Sequence, residues 1–327
     1  METAKKALPS ESPADTGTGD LGAPLYVAWQ ITNECNLACL HCIEESGPGK
    51  AFKDELPKDK VFAVLKELLD AEVPYLAFSG GEPMMHPHFF EMVEFVTRGG
   101  SELKVETNAH LLDRDACRRL AGCGIRAAQV SMDGASAETY QRLRARGSFD
   151  KMLEGVRGLK DAGVPIEINY SPTKFNAGEI SRAVDLAYEL GAESFFTGRT
   201  MYTGNAVRAW DHIAPSAEQY ERFFADLRAA CDKYEGKLRV HYHEMGLVEE
   251  LRYRIKHPAA LFIVLPNGLV KLINALPFVC GDLREDSVLE VWRNFQTAWK
   301  NPQVAEFVES LAAEPKLTSE LHKWVRL

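Results

Sequence analysis

From Pro24 onward the chain alternates two hydrophobic rhythms. PLYVAWQIT (24–32), VPYLAFS (73–79), LKVETNA (103–109), RAAQVSMDG (126–134), VPIEINYS (164–171) and ESFFTGR (193–199) are short apolar runs that read as strands. Between them, apolar residues recur at helical spacing in 58–71, 88–100, 113–124, 149–163, 177–191 and 215–234. Glycine closes the helices at 99–100 and 124, and Ser216 is placed to cap the last one. Six strand–helix units in a row predict an α/β fold with a parallel sheet and right-handed crossovers. Six units rather than eight predict a partial (β/α)6 TIM-like barrel over residues 24–235.

After Tyr234 the pattern changes. KLRVHYHE (237–244) reads as a strand, and LFIVLPNGLVKLI (261–273) as a hairpin turning at Pro266-Asn267-Gly268. DSVLEVWRNF (286–295) is an amphipathic helix. These elements predict a small α+β domain over 236–327. Residues 1–23 carry Pro, Gly, Ser, Thr and Asp without periodicity and read as a flexible leader.

In barrels of this kind the chemistry sits on loops leaving the C-terminal ends of the strands. There the sequence places Cys35, Cys39 and Cys42 after the first strand, and Gly80-Gly81-Glu82-Pro83 after the second. Thr107-Asn108 end the third, and Ser131-Met132-Asp133-Gly134 follow the fourth. The cysteine spacing is C-x3-C-x2-C. Thiolates this close together on a loop ligate soft metals or iron–sulfur clusters. Zinc wants a fourth ligand nearby, and His41, between two cysteines, points its ring elsewhere. Three cysteines suit a 4Fe–4S cluster with one iron left open to another ligand.

Composition narrows the classes. The net charge of −9 over 327 residues leaves no basic footprint for nucleic acid. No apolar run is long enough for a membrane helix, and the N-terminus lacks a secretory apolar core, so a cytoplasmic protein is expected. Seven cysteines, odd in number and unevenly spaced, argue for metal or reactive roles over a disulfide framework. Cys117, Cys123 and Cys231 lie on helices and read as packing residues.

The stretch TNECNLACLHC resembles the cluster-binding loop of the radical S-adenosylmethionine enzymes, with His41 in the slot they fill with an aromatic residue. Gly80, Gly81, Glu82 and Pro83 resemble their GGEP loop, which implies contact with the ammonium of the cofactor's methionine portion. There glycine would let the backbone approach the ligand, and Glu82 would accept a hydrogen bond. Thr107, Asn108, Ser131 and Asp133 match further turns of that family, implying cofactor contacts. A later arginine, Arg144 or Arg146, would share them. Arg199, ending the sixth strand, is aimed where a barrel ligand would lie. The resemblance implies one 4Fe–4S cluster, S-adenosylmethionine, and a flavodoxin or ferredoxin as electron donor.

Residues 259–295 resemble the C-terminal extension called SPASM or twitch, through Gly268, Gly281-Asp282-Leu283-Arg284-Glu285 and Leu289-Glu290-Val291-Trp292. That extension normally holds auxiliary clusters. Here His257 and Ile273 occupy two expected cysteine positions, and only Cys280 remains. One thiolate cannot hold such a cluster. Cys280 then reads as a small core residue or as a hydrogen-atom donor to a substrate radical. Without an auxiliary electron acceptor, redox-neutral outcomes are favoured. The resemblance points to decarboxylation or epimerisation of a sugar or nucleoside small molecule in natural-product biosynthesis. Maturation of a ribosomal peptide, or dehydrogenation of an alcohol or aminocyclitol, is the alternative.

Overall fold

Alternate residues of each barrel strand meet two different environments. A computed structural model describes residue 18 and residues 21–327; the predicted leader lies mostly outside the described residues. Strands β1 (Tyr26–Thr32), β2 (Tyr75–Gly80), β3 (Glu102–Thr107), β4 (Ala127–Ser131), β5 (Ile166–Tyr170) and β6 (Ser194–Gly198) run parallel, neighbour beside neighbour, in chain order. Val27, Trp29, Phe78, Val105, Val130 and Ile168 are fully or almost fully buried in the apolar core. That core also holds the apolar faces of α1 (Lys58–Asp70), α2 (Phe89–Arg98), α3 (Arg114–Cys123), α5 (Phe149–Asp161), α6 (Ile180–Glu189) and α8 (Ala217–Lys233). Because side chains alternate along a strand, Tyr26, Ser79, Lys104, Glu106, Gln129 and Asn169 face the opposite, concave side. All six stay partly exposed, whereas Gln30, Ala77 and Glu167 on the same side are buried.

The sheet does not stop at six strands. The run at 237–244 was expected to open a separate C-terminal domain. Instead β7 (Arg239–His243) pairs parallel with β6 and extends the barrel sheet. At the other edge β8 (Leu261–Val264) pairs parallel with β1, and β9 (Leu269–Lys271) pairs antiparallel with both β8 and β10 (Phe278–Asp282).

 The antiparallel pairing of β9 folds the C-terminal hairpin back onto the barrel edge. A last strand, β11 (Val325–Arg326), pairs parallel with β10 and completes an eleven-stranded sheet among the described residues. Tertiary pairing decides this: β1 and β6 are the two exposed edges of a six-stranded sheet, and each takes a further strand.

Four further helices lie outside the elements read from the sequence: α4 (Ala137–Leu143), α7 (Asn205–Ile213), α9 (Leu247–Lys256) and α11 (Pro302–Ala313). The amphipathic run near 286–295 is α10 (Val288–Ala298), opened by a capping box between Ser287 and Glu290. Its Trp292 Nε1 donates to Leu21 O at 2.8 Å, which ties the start of the described chain to the C-terminal helix.

Candidate functional site

The loop after β2 is shaped by the segment that leads into the cysteines. Gly80 has φ +120°, and a Cβ there would lie 2.3 Å from Thr32 O. A Cβ on Gly81 would lie 2.1 Å from Glu34 O. The gap is closed because Gly81 N donates to Thr32 O at 2.8 Å and Glu82 N to Glu34 O at 2.9 Å. The expected reason for these glycines was approach of a ligand. The reason visible in the fold is approach of the chain to itself, one residue before Cys35. Pro83 is buried and opens the short turn that follows.

Glu82 is wholly buried. Its carboxylate accepts from Thr107 Oγ1 at 2.8 Å, Asn108 N at 2.9 Å and Met84 N at 3.3 Å. Burial outweighs these bonds and lifts its pKa to about 7. Glu82 therefore holds the Thr107-Asn108 turn in place, rather than standing free as an acceptor. Asn108 in turn passes the order on. Its Nδ2 donates to Asn36 Oδ1 at 2.8 Å and lies 3.8 Å from Cys35 Sγ.

A second hub lies on the other side of the cysteine loop. Two two-residue strands, Ala38–Cys39 and Arg144–Ala145, pair antiparallel, a contact no local pattern announces. This pairing brings Arg144 Nη1 to 3.6 Å from Cys39 Sγ. The two candidate arginines are placed differently: Arg144 is buried, whereas Arg146 is exposed with φ +69°. Arg144 Nε and Nη2 donate to Asp133 Oδ2 at 2.8 and 2.6 Å. His41 Nε2 reaches the same oxygen at 2.8 Å, and Ser171 N donates to Oδ1 at 2.8 Å. Burial alone would raise the Asp133 carboxyl. Arg144 and His41 overcome that and hold it well below the usual carboxylate range. His41 Nδ1 is buried without a partner among the described residues.

All seven cysteines are free thiols. Burial pushes the Cys35 thiol to about 11 and the Cys39 thiol to about 12, and raises Cys42. The three sulfurs feel one another's charge. Among the described residues no group of three or more His, Cys, Asp or Glu is arranged as the ligand set of a single metal ion. In a cluster each thiolate takes its own iron, and three thiolates on one loop are such a donor set.

Other expected residues fall elsewhere. Ser131, ending β4, is partly exposed on the concave side beside Asn169. Arg199 does not turn to the cysteines: its Nε donates to Glu244 O at 2.7 Å, and its guanidinium lies 4.4 Å over the Tyr220 ring. Cys280, on β10, is buried in the apolar core and donates to Val270 O at 3.5 Å. His110 has no sequence signal at all. Its Nδ1 pairs with Asn108 O at 2.9 Å, its Nε2 accepts from Ser148 N at 2.8 Å, and its ring stacks on Tyr140. It thereby braces the Thr107-Asn108 turn against α5.

Residues 29–187 match the family model described as the radical SAM superfamily. The chain is 30% identical to the AdoMet-dependent heme synthase of Methanosarcina barkeri, over 83% of each chain. It is 32% identical to the mycofactocin maturase MftC of Mycolicibacterium smegmatis, over 65% of this chain and 54% of that one. Streptococcus suis SuiB bound to S-adenosylmethionine has a similar fold, with TM-score 0.68 and 17% identity over 83% of this chain and 66% of SuiB. The three-cysteine loop, the barrel that presents it and these likenesses together place the chain in the radical S-adenosylmethionine superfamily, whose cofactors are a 4Fe–4S cluster and S-adenosylmethionine.

Proposed function

We propose that Cys35, Cys39 and Cys42 hold the single 4Fe–4S cluster, and that the chain modifies a peptide by hydrogen-atom abstraction. The observation that carries the site is convergence: the Glu82 and Asp133 hubs each reach one cysteine, through Asn108 to Cys35 and through Arg144 to Cys39. When bound, the cofactors supply a one-electron cleavage that yields an organic radical able to take hydrogen from a C–H bond. The protein's part is to hold and exclude. Arg144 brings a positive charge to 3.6 Å from Cys39 Sγ and is pre-oriented by Asp133, so it suits the carboxylate of the cofactor's methionine portion. The Gly80–Pro83 segment and the Thr107-Asn108 turn form the adjoining wall, and Ser131 faces the lumen beneath. His41, fixed by Asp133, keeps a buried Nδ1 available on the cysteine loop. A flavodoxin or ferredoxin is the proposed electron donor.

For the substrate, the sugar- or nucleoside-tailoring reaction expected from resemblance finds no support in these relatives. Peptide maturation gains from the likeness to the mycofactocin maturase. A haem-forming reaction is the second reading, favoured by the relative that matches most of both chains. Anaerobic reconstitution with iron and sulfide, followed by reduction, tests the proposal. About four irons per chain and formation of 5′-deoxyadenosine are expected. No cleavage of S-adenosylmethionine with any reductant would overturn it. Loss of the iron in a Cys35→Ala, Cys39→Ala or Cys42→Ala variant checks the ligand assignment.

A further inference from the structure

One helix outside the elements read from the sequence lies against the cysteine loop. In α7, Ala206, Ile213 and Trp210 share a small apolar cluster with Leu40 of that loop and with Leu143, separate from the main core. Gly204 precedes this helix with φ +57°, a left-handed backbone that favours glycine. A Cβ there would lie 2.5 Å from both Cys42 O and Ile43 O. The segment that follows β6 therefore runs hard against the third cysteine.

Asn205 then meets both ends of the Cys39–Cys42 turn. Its backbone N donates to Cys42 O at 2.9 Å, and its Nδ2 donates to Cys39 O at 3.0 Å. Within the turn, Cys42 N reaches Cys39 O only at 3.4 Å, longer than an ordinary N–H···O bond. The turn is thus closed more firmly by Asn205 than by its own bond. Arg208 Nη2 donates to Asn205 Oδ1 at 2.6 Å and lies 2.8 Å from Glu45 Oε1. A guanidinium has only donors, so this contact claims the oxygen of the amide and leaves Nδ2 for Cys39 O. The turn's other anchors are the Ala38–Cys39 ladder and Leu40 N, which donates to Leu143 O at 2.9 Å.

We infer that Asn205 is a positioning residue for the cluster: it brackets the Cys39–Cys42 turn, so that these two thiols are presented in one arrangement before iron arrives. This rests on the cluster reading above and adds a partner from outside the motifs. Losing a group that orients a metal ligand typically costs about tenfold to a hundredfold in metal affinity. A role confined to α7 predicts otherwise. Alanine is a better helix former than asparagine, and aspartate in a first turn suits the helix dipole, so α7 itself keeps or gains stability in Asn205→Ala and Asn205→Asp. Both variants lose the donor to Cys39 O.

The test compares these two variants with the wild type and with Ser216→Ala, whose hydrogen bonds stay within residues 216–220. On anaerobic, cluster-loaded protein, iron release to a ferrous chelator is expected to run roughly tenfold or more faster in both Asn205 variants. The electron paramagnetic resonance lines of the reduced cluster, which report the geometry about the irons, are expected to shift or broaden in both. Ser216→Ala is expected to match the wild type in each. On cluster-free protein, amide hydrogen exchange across residues 38–43 is expected to speed up several-fold in the Asn205 variants. Unchanged exchange overturns the bracket. Faster exchange with unchanged iron release and unchanged lines overturns its role toward the cluster, and so does an equal change in Ser216→Ala. Should one Asn205 variant fail to fold, the other decides. A wild type that takes up no iron overturns the cluster reading, while exchange, which needs no iron, still judges the bracket.

Discussion

Asp133→Asn isolates the hub beneath the cysteine loop. The substitution conserves shape but removes one charge from a wholly buried carboxylate that faces Arg144 at 2.6 Å and His41 at 2.8 Å. The new amide can serve one donor; its NH2 then faces another donor, Arg144 or His41. Removing one partner of a buried ion pair costs about 3–5 kcal/mol, because the remaining charge stays desolvated. For 327 residues the unfolding entropy near the midpoint is about 0.7 kcal/mol/K, so the melting temperature should fall by about 4–7 °C. Calorimetric melting of the cluster-free protein measures this without any contribution from iron. Asp115→Asn is the comparison, since its partner Arg118 is largely exposed and such pairs contribute under about 1 kcal/mol. The sign with pH also follows. Asp133 has its folded pKa depressed, so its contribution is complete above the unfolded value and is lost only as pH falls through the folded one. The part of the gap that belongs to the Asp133 carboxyl should therefore narrow only below about pH 4. A Tm shift indistinguishable from that of Asp115→Asn would refute the hub.

Gly81→Ala places a methyl 2.1 Å from Glu34 O, so reconstituted protein should lose most of its iron; Gly122→Ala, where nothing lies within 4 Å, should keep it. Iron counting separates the two, and equal retention would show that the loop contact is dispensable. Glu82→Gln removes a carboxyl whose folded pKa is raised to about 7. A raised acid is most stabilising below its unfolded value and loses that advantage as pH rises, so the wild-type-minus-variant stability should fall by about 3 kcal/mol between pH 4.5 and pH 8. Urea unfolding across that range checks it, and a flat difference refutes it. Cys280→Ala removes a buried sulfur whose one hydrogen bond among the described residues is to Val270 O, so a loss of about 1–2 kcal/mol is expected with iron content and 5′-deoxyadenosine yield unchanged. A lost yield at full iron content would return Cys280 to the chemistry.

The sequence by itself determined the parts whose signal is local. Period-two and period-3.6 hydrophobic patterns announce the six strand–helix units, because each element must bury one face. The cysteines, the Gly-Gly-Glu-Pro loop and the Thr107-Asn108 and Ser131–Gly134 turns were legible because each stands at the end of such a strand. What remained hidden depends on partners distant in the chain. His110 acts through Ser148, 38 residues away, and Arg144 through a two-residue ladder to Cys39, 105 residues away. No periodicity records either contact. The same limit explains β7 and β8. A strand's sequence shows that it will pair, but not with which open edge, so only the folded sheet shows that the C-terminal segments extend the barrel on both sides. Glu82 and Asp133 make the point most plainly. Their positions marked them as cofactor contacts; what only the folded chain shows is that both carboxylates are buried and hydrogen-bonded to the protein, where they fix the backbone and the arginine that meet the cysteines.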